Sequence, residues 1–184
     1  MTDTPLWTPS ESRQAEANIT DFISFVSEHG SSVATYNDLH RFSIENNERF
    51  WELYWEFAGI KASTRGERIV ENSDQMPGAR YFPDARLNFA ENLLAKSDDT
   101  TALIFRGEDK VRRAWSWREL NETVSRIQKG LKTLGLEPGE RVGAVVANMP
   151  ETIMSCLGVA SLGGVWSSCS PDFGVQGILD RFGQ

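Results

Sequence analysis

Residues 141–168 read RVGAVVANMPETIMSCLGVASLGGVWSS, and this stretch decides the fold. Its first six residues are almost continuously apolar, which is typical of a strand covered on both faces of a parallel sheet. Asn148 and Pro150 open a helix with an apolar side, and Gly163 and Gly164 end it. A second strand begins at Val165. A strand, a helix and a strand in this order predict two parallel strands joined by a right-handed crossover.

The same region carries no charge, since no Asp, Glu, Lys or Arg occurs from Thr152 to Pro171. A run of this length is long enough to cross a bilayer. Serines and glycines interrupt it, however, at Ser155, Gly158, Ser161, Gly163, Gly164, Ser167, Ser168 and Ser170. Because a spanning helix needs continuous apolarity, the run favours a buried helix followed by a buried strand, and no membrane association.

A hairpin and a long helix are predicted immediately upstream. Residues 102–106 and 111–115 are strand-like, and residues 107–110 between them form the turn. Ser116 and Glu119 then make a capping box, in which each side chain satisfies a free backbone N–H of a new helix. One apolar stripe follows, at Trp117, Leu120, Val124, Ile127, Leu131 and Leu134, and Gly135 ends it. Residues 101–184 therefore predict an α/β fold, with a hairpin before the parallel strand–helix–strand units.

The first hundred residues predict a helical extension. Apolar residues recur at helical spacing from Ile19 to Val26, and Gly30 follows as a stop. Thr35 is expected to cap a second helix, and Asn47 a third one that ends at Gly59. Residues 61–84 are poor in large apolar side chains and should form a surface connection. A short helical pattern follows over residues 87–94. We therefore place a domain boundary at residue 100.

The third helix is unusually aromatic, with five rings in eight residues at Phe50, Trp51, Tyr54, Trp55 and Phe57. Such a cluster could form a ligand-stacking surface. It more often anchors a peripheral segment onto a core, because each ring buries a large area. We favour the anchoring interpretation.

Length, charge and cysteine content exclude several classes of protein. The chain has 184 residues, enough for one domain or for one domain with an appendage. Its net charge of −7 argues against duplex nucleic acid and against anionic membranes, which both select basic surfaces. Cys156 and Cys169 are too few for a disulfide framework, and the chain starts without a secretory signal. We therefore expect a reducing cytoplasm.

Common catalytic motifs are absent from the sequence. Neither GxxxxGK[ST] nor GxGxxG occurs, so no glycine-rich phosphate loop is predicted. There is no GxSxG nucleophile elbow. His29 and His40 have no zinc-ligand spacing to each other or to a cysteine, so we predict no metal site. Nothing local selects one arginine as an anion ligand. The residues themselves thus predict a fold and no catalytic residue.

Several segments together resemble one enzyme family. Residues 82–94 (FPDARLNFAENLL) are similar to the segment before the core of AMP-forming short-chain acyl-CoA synthetases, which belong to the adenylate-forming superfamily. Residues 47–59 resemble the anchoring helix of this family, and residues 148–151 and 163–168 resemble its strand–helix–strand unit. Residues 166–177 (WSSCSPDFGVQG), 76–80 and 105–109 are closest to the branch that ligates acetoacetate to CoA. The resemblance runs from Pro5 to Gln184.

The resemblance implies a two-step ligase that uses ATP, Mg²⁺ and CoA. The carboxylate of acetoacetate is converted to an acyl-adenylate, and the CoA thiol then displaces AMP. Family members are considerably longer than this chain, and their phosphate loop and catalytic lysine lie downstream. We therefore expect the N-terminal part of such an enzyme, which by itself makes no acyl-adenylate. Two alternatives stay open: a ligase of acetate, propionate or another short acid, and a non-catalytic interaction module that docks through its aromatic helix.

One candidate site lies within the chain. In related synthetases, the loop after the strand of residues 165–168 lies beside the nucleotide of CoA. The resemblance implies that Trp166 stacks on the adenine and that the backbones of Ser167 and Ser168 pass close to it. In the alternative interpretation, Trp166 is a core aromatic and the serines end a strand. Self-association through uncovered strand edges is also expected.

Overall fold

The computed structural model describes residues 6–108 and 110–183. They form two compact units that meet between Arg86 and Leu87. The boundary predicted at residue 100 separates two domains, whereas the boundary after Arg86 separates two groups of contacting residues. The domain boundary therefore stays a prediction.

The described part of the first unit, residues 6–86, forms four helices and one small sheet. The helices are α1 (Glu11–Ala15), α2 (Asn18–Glu28), α3 (Tyr36–Glu45) and α4 (Asn47–Phe57), and the strands are β1 (Val70–Glu71) and β2 (Arg80–Tyr81). The predicted helix stops are confirmed, since Gly30 and Gly59 both have positive φ values, of 86° and 60°. Glycine adopts this left-handed conformation without the steric cost that other residues meet.

The predicted helix caps have different outcomes. Thr35 caps α3 as predicted, and Asp38 completes a capping box with it. The cap predicted at Asn47 is wrong, because the N-cap of α4 is Asn46, which makes no side-chain capping bond. Asn47 already lies in the helix, and its Nδ2 donates to the carbonyl oxygen of Ser43 at 3.3 Å. The error is one residue, within the usual uncertainty of a helix end.

The aromatic rings of α4 build the core of the first unit. Phe50 and Phe57 pack against Phe22 of α2, with ring centroids 5.7 and 4.9 Å apart. On other sides of α4, the ring of Trp55 lies 4.5 Å from that of Phe82, and Trp51 lies 5.0 Å from Tyr81. The buried members of this core are Phe22, Val26, Val33, Leu39 and Leu53. The rings therefore join α2, α4 and the small sheet.

The segment 61–84, predicted as a surface connection, contains the sheet of β1 and β2. The strands pair antiparallel, with Val70 opposite Tyr81. The Arg68 guanidinium donates to Asp84 at 2.8 Å, and this hydrogen bond holds the pKa of the Asp84 carboxyl below its usual value. Strands of two residues are too short to show an alternating pattern, so no periodicity in the sequence indicates them.

The second unit contains the α/β elements. They are α5 (Phe89–Leu93), β3 (Thr101–Gly107), β4 (Val111–Ser116), α6 (Trp117–Thr133), β5 (Arg141–Val145), α7 (Pro150–Ser161), β6 (Val165–Cys169) and α8 (Gly174–Phe182), with a 3₁₀ turn (Pro171–Phe173) before α8. The capping box of Ser116 and Glu119 at the start of α6 is confirmed. The helix start predicted at Pro150 is confirmed, whereas Asn148 lies outside α7, whose N-cap is Met149.

The two sheets of this unit have the predicted topology. β3 and β4 pair antiparallel, with Gly107 opposite Val111 at the turn, of which Asp109 lies outside the described residues. β5 and β6 pair parallel, from Arg141 opposite Val165 to Val145 opposite Cys169. The strand–helix–strand unit is therefore confirmed.

Helices α6 and α7 pack closely over the hairpin. Their core contains the buried residues Ala90, Leu120, Val124, Met154 and Leu157. The charge-free run folds into a helix, α7, and a strand, β6, as predicted. The predicted burial of this strand is wrong, because Val165 is exposed, Trp166, Ser167 and Ser168 are half-buried, and only Cys169 is buried. The coverage of β5 was predicted wrongly, however, because Arg141, Gly143 and Val145 are exposed and only the alternate residues are half-buried. In the residues that the structure describes, no helix is both long and apolar enough to span a bilayer.

Candidate functional site

The carboxyl ends of β5 and β6 form one edge of the parallel pair. The backbone N–H of Val146 donates to the Cys169 carbonyl at 3.0 Å, which joins the two strand ends. In the loop that follows β5, the Thr152 hydroxyl donates to the Ala147 carbonyl at 2.7 Å. Ligands of open α/β sheets bind beyond this edge. The geometry therefore makes the loops after β5 and β6 the place to look for a ligand.

The three predicted site residues all lie on β6 and are half-buried. Trp166, Ser167 and Ser168 lie opposite Val142, Gly143 and Ala144 of β5. Because successive side chains of a strand point to opposite faces, Trp166 and Ser168 share one face and Ser167 lies on the other. Three residues that are adjacent in sequence therefore have their side chains on two different faces of the sheet.

Of the three, Ser167 reaches open space. It lines a groove of about 670 Å³ together with residues of β5, β6 and α8, namely Arg141, Val142, Gly143, Val145, Val165, Arg181 and Phe182. It also lines a second groove, of about 500 Å³, beside Phe173 and Arg181. Trp166 and Ser168 line neither groove. The first groove combines apolar walls with the guanidinium groups of Arg141 and Arg181, a lining suited to an anionic organic ligand, whereas the second groove also holds the Asp180 side chain.

The loop after β6 is held by its own side chains. Ser170 Oγ accepts from the backbone N–H of Asp172 at 3.3 Å and lies 3.0 Å from Asp172 Oδ2. Pro171 begins the 3₁₀ turn, and Gly174 then begins α8 with a φ of 65°. A residue with a side chain would be strained at this φ, so the glycine is needed for the change of direction.

Neither cysteine is placed as a nucleophile. Cys169, at the end of β6, is buried, and Cys156 on α7 is half-buried. Burial raises the pKa of the Cys156 thiol above its usual value. Reactive thiols need the opposite shift, since the thiolate is the nucleophile.

Arg113 of β4 contacts both a carboxylate and two aromatic rings. Its guanidinium donates to both carboxylate oxygens of Glu151, at 2.6 and 3.0 Å. The same group stacks over the rings of Trp115 and Phe105, 4.8 and 5.3 Å from their centroids. The hydrogen bonds from Arg113 lower the pKa of the Glu151 carboxyl. The sequence carried no signal for this contact, because its partners are 38 residues apart.

Among residues 6–108 and 110–183, no three His, Cys, Asp or Glu side chains form a group that could hold a metal ion.

Comparison with protein families identifies the chain. The model of the family described as "AMP-binding enzyme" matches residues 89–182, just over half of the 184 residues. The chain belongs to the AMP-binding enzyme family. A second model, described as "Acetyl-coenzyme A synthetase N-terminus", matches residues 36–93. The residues matched by the second model come first along the chain and lie mostly in the first unit. The match to the AMP-binding model follows, and the two overlap at residues 89–93.

Individual AMP-binding relatives point to one branch of the family. The acetoacetyl-coenzyme A synthetase of Rhizobium meliloti (strain 1021) is 48% identical over 181 residues, which are 98% of this chain and 28% of the relative. The malonamoyl-CoA synthetase vrtB of Penicillium aethiopicum is 40% identical over 163 residues, which are 85% of this chain and 22% of the relative. This chain thus spans about a quarter of the length of the curated AMP-binding relatives that it matches.

A solved structure supports the fold directly. The acetoacetyl-CoA synthetase from Streptomyces lividans superposes with a TM-score of 0.88 and is 36% identical, covering 98% of this chain and 28% of that one. The predicted α/β fold class and the predicted resemblance to acetoacetate-ligating enzymes are therefore confirmed.

Proposed function

We propose that this chain is the N-terminal part of a ligase that joins acetoacetate to CoA at the expense of ATP. The observation that carries the proposal is the 48% identity to an acetoacetyl-coenzyme A synthetase over almost the whole chain. The similarity to the Streptomyces lividans enzyme in both sequence and structure supports it.

The proposed reaction has two balanced steps. A carboxylate oxygen of acetoacetate attacks the α-phosphorus of ATP, and the bond to pyrophosphate breaks. The sulfur of CoA then attacks the acyl carbon, the thiol proton is lost, and the bond to AMP breaks. The family implies Mg²⁺, which neutralises charge on the phosphates. Among the described residues, no group of His, Cys, Asp or Glu side chains could hold this ion.

The contribution of this chain to that reaction is the support of CoA. We propose that Trp166 stacks on the adenine of CoA and that the Ser167 and Ser168 backbones lie along it. Two features support this role: the Trp166 ring is only half-buried, and β6 leads into the loop at the carboxyl edge of the sheet. We assign no catalytic residue to the chain.

A ring substitution tests the proposed contact. In the complete ligase, Trp166→Ala should weaken the apparent affinity for CoA, whereas Trp166→Phe should keep much of it because a ring remains to stack. Stacking of a base on an aromatic side chain contributes about 1–3 kcal/mol, so the alanine variant should lose roughly five- to hundredfold. An unchanged affinity for CoA in Trp166→Ala rejects the contact.

The 184-residue chain itself should not form an acyl-adenylate. Purified chain incubated with ATP, Mg²⁺ and acetoacetate should release no pyrophosphate above the buffer background. Release that depends on acetoacetate would contradict this expectation and would place adenylating residues within these 184 positions.

A second acid has specific support. Malonamate, the free acid of the malonamoyl group named in the fungal relative, carries an amide where acetoacetate carries a methyl ketone. Both acids have a carbonyl β to the carboxylate. Assay of the complete ligase with acetoacetate, malonamate, acetate and propionate separates the candidates, and we expect the highest kcat/KM with acetoacetate.

We also place this ligase in the cytoplasm, in lipid and ketone-body metabolism, with small molecules as its partners. The two free thiols support a reducing compartment.

A further inference from the structure

The Asn88 side chain bonds to two helices at once. Its Oδ1 accepts from the backbone N–H of Glu91 at 3.1 Å and so caps the start of α5. Its Nδ2 donates to the carbonyl oxygens of Ala160 and Ser161, at 2.9 and 3.4 Å. These two carbonyls belong to the last turn of α7, where the regular helical N–H four residues later is not available. One amide group therefore satisfies the beginning of α5 and the end of α7.

The end of α7 leads directly into the strand of the candidate site. The Ala160 carbonyl that accepts from Asn88 also accepts from the backbone N–H of Gly163 at 3.0 Å. Gly163 turns the chain with a φ of 75°. The N–H of Gly164 donates to the Val159 carbonyl at 3.0 Å, and a Cβ at Gly164 would lie 2.8 Å from Val159 Cγ1. This turn therefore has little freedom once α7 is fixed.

The same turn is bonded to the start of β5. The N–H of Gly139 donates to the Gly163 carbonyl at 2.9 Å, and the N–H of Val165 donates to the Glu140 carbonyl at 2.8 Å. Trp166 follows one residue later. A short chain of backbone bonds thus connects the Asn88 amide with the strand that carries the candidate site.

We propose that Asn88 is a positioning residue for the CoA step: by bonding the last carbonyls of α7, it fixes the Gly163–Gly164 turn and with it the placement of Trp166. The inference rests on the proposed function, because it assumes that β6 supports CoA. The proposed role of Asn88 is indirect, through α7 and the turn, and involves no contact with substrate. Adenylation of the acid, which uses residues outside this chain, should not depend on it.

The first test measures the turn in the 184-residue chain itself. Asn88→Asp keeps the oxygen that caps α5 but loses the donor to α7, and Asn88→Ser keeps a capping hydroxyl without adding charge. Both variants should speed amide hydrogen exchange of Gly163 and Gly164 by about three- to tenfold, the effect of losing one hydrogen bond. Unchanged exchange at these amides in both variants overturns the inference.

A matched control is available on α6. Asn121 Nδ2 also donates to two carbonyls, those of Lys96 at 2.7 Å and Trp117 at 2.8 Å, but at another place in the unit. Asn121→Asp therefore removes the same chemistry without touching α7. It should leave the exchange of Gly163 and Gly164 unchanged. Equal acceleration by both variants would show a general loosening and would overturn the positioning role.

The second test uses the complete ligase and separates the two half-reactions. Asn88→Asp should raise the KM for CoA about three- to tenfold and leave acetoacetate-dependent ATP–pyrophosphate exchange unchanged. If Trp166→Ala weakens CoA binding and Asn88→Asp does not, the inference fails and the proposed function stands. If both variants bind CoA normally, the proposed CoA contact itself fails, and the inference with it.

Discussion

Arg112 and Arg113 show how one step along a strand decides the surroundings of a side chain. Arg113 points to the inner face of the hairpin, where Trp115 and Glu151 contact it. Arg112 lies on the opposite, solvent-exposed face, directly across from Arg106 of β3. Like charges in this register disfavour pairing slightly, whereas opposite charges and rings stabilise it. The ion pair of Arg113 with Glu151 also attaches the hairpin to the first turn of α7.

The Glu151 carboxyl should make the stability of the second unit depend on pH. Hydrogen bonds from Arg113 hold the pKa of this carboxyl in the folded state below its usual value. Such a group stabilises the fold above its unfolded pKa, and the contribution is lost as the pH falls through the folded pKa. Glu151→Gln should therefore lower the urea midpoint at pH 7 and change it less at pH 3.

Glu137 provides the control for this prediction, since it is exposed in the same unit. Glu137→Gln should leave the urea midpoint nearly unchanged at both pH values. A loss in Glu151→Gln that is equal at pH 7 and pH 3 would contradict an origin in the charge of Glu151.

Residue-scale features were predictable where they are local. The capping box of Ser116 and Glu119 was found because both partners lie within four residues of sequence. The Asn88 contact to Ala160 spans 72 positions, and no sequence pattern encodes such a distance. For the candidate site, the sequence placed Trp166, Ser167 and Ser168 on one strand correctly. It did not show that Ser167 alone reaches the grooves.

At the scale of elements, the packing of α7 on α6 depends on one glycine. Gly158 is buried, and a Cβ built there would lie 2.6 Å from Cγ2 and 3.2 Å from Cβ of Ile127. These atoms lie close to the backbone of α6 and cannot swing away like the end of a long side chain. The missing side chain therefore allows the two helices to approach.

Gly158→Ala should destabilise the protein by about 1–3 kcal/mol through overpacking, although alanine is the better helix former. Gly130→Ala on α6 is the matched control, since nothing lies within 4 Å of the added Cβ. It should stabilise by about 0.5–1 kcal/mol. Urea unfolding of both variants measures the difference.

The partner side chain provides a second check of this prediction. In an Ile127→Ala background, Gly158→Ala should cost much less, because the clashing methyl is gone. Equal costs in both backgrounds would show that the contact with Ile127 is not responsible.

Elements were predicted well wherever periodicity extends over several turns or residues. The apolar stripe of α6 packs into the core as predicted from Trp117 to Ile127, and the strand–helix–strand unit has clear glycine and proline boundaries. Leu134, predicted as the last member of the stripe, is instead the C-cap of the helix and is 85% exposed. The sheet of β1 and β2 was missed because each strand has two residues. The burial of β5 was overestimated because its apolar residues are compatible with coverage on both faces. In this structure one face of the strand is half-buried and the other is exposed.

At the scale of the molecule, each of the two compact units has its own core. Leu53 lies at the centre of the first core, and Leu120 belongs to the second. Within residues 6–108 and 110–183, no residue belongs to both clusters. Their stabilities can therefore be perturbed separately.

Leu53→Ala and Leu120→Ala should act on different parts of the chain. Each removes a buried side chain and should cost about 2–5 kcal/mol within its unit. Hydrogen exchange should accelerate most in α2, α3 and α4 for Leu53→Ala, and most in α6 and α7 for Leu120→Ala. Equal acceleration throughout the chain in either variant would contradict separate cores.

The parallel pair should also promote association of the chain with itself. Among the described residues, β5 and β6 pair only with each other, so each has one open edge. Val145 and Val165 on these strands are 45% and 51% exposed. Open strand edges with apolar side chains favour pairing between copies. We therefore expect light scattering to show a mass that rises with concentration.

Lysine on the same strands should reverse this behaviour. Val145→Lys and Val165→Lys place charge beside the open edges and should shift the chain toward monomer, whereas Val175→Lys on α8 is the comparison away from the strands. Monomers alone at high concentration in the unmodified chain would contradict the prediction.

The burial of Cys169 makes its thiol a natural probe of how often the end of β6 opens. Cys169 lies opposite Val145 in the last register pair of the parallel strands, and the residue is only 5% exposed. A thiol-specific reagent can therefore reach it only when the end of β6 separates from its surroundings. The rate of labelling at the Cys169 sulfur, measured separately from that of the half-buried Cys156, then reports how often the carboxyl edge of the sheet opens.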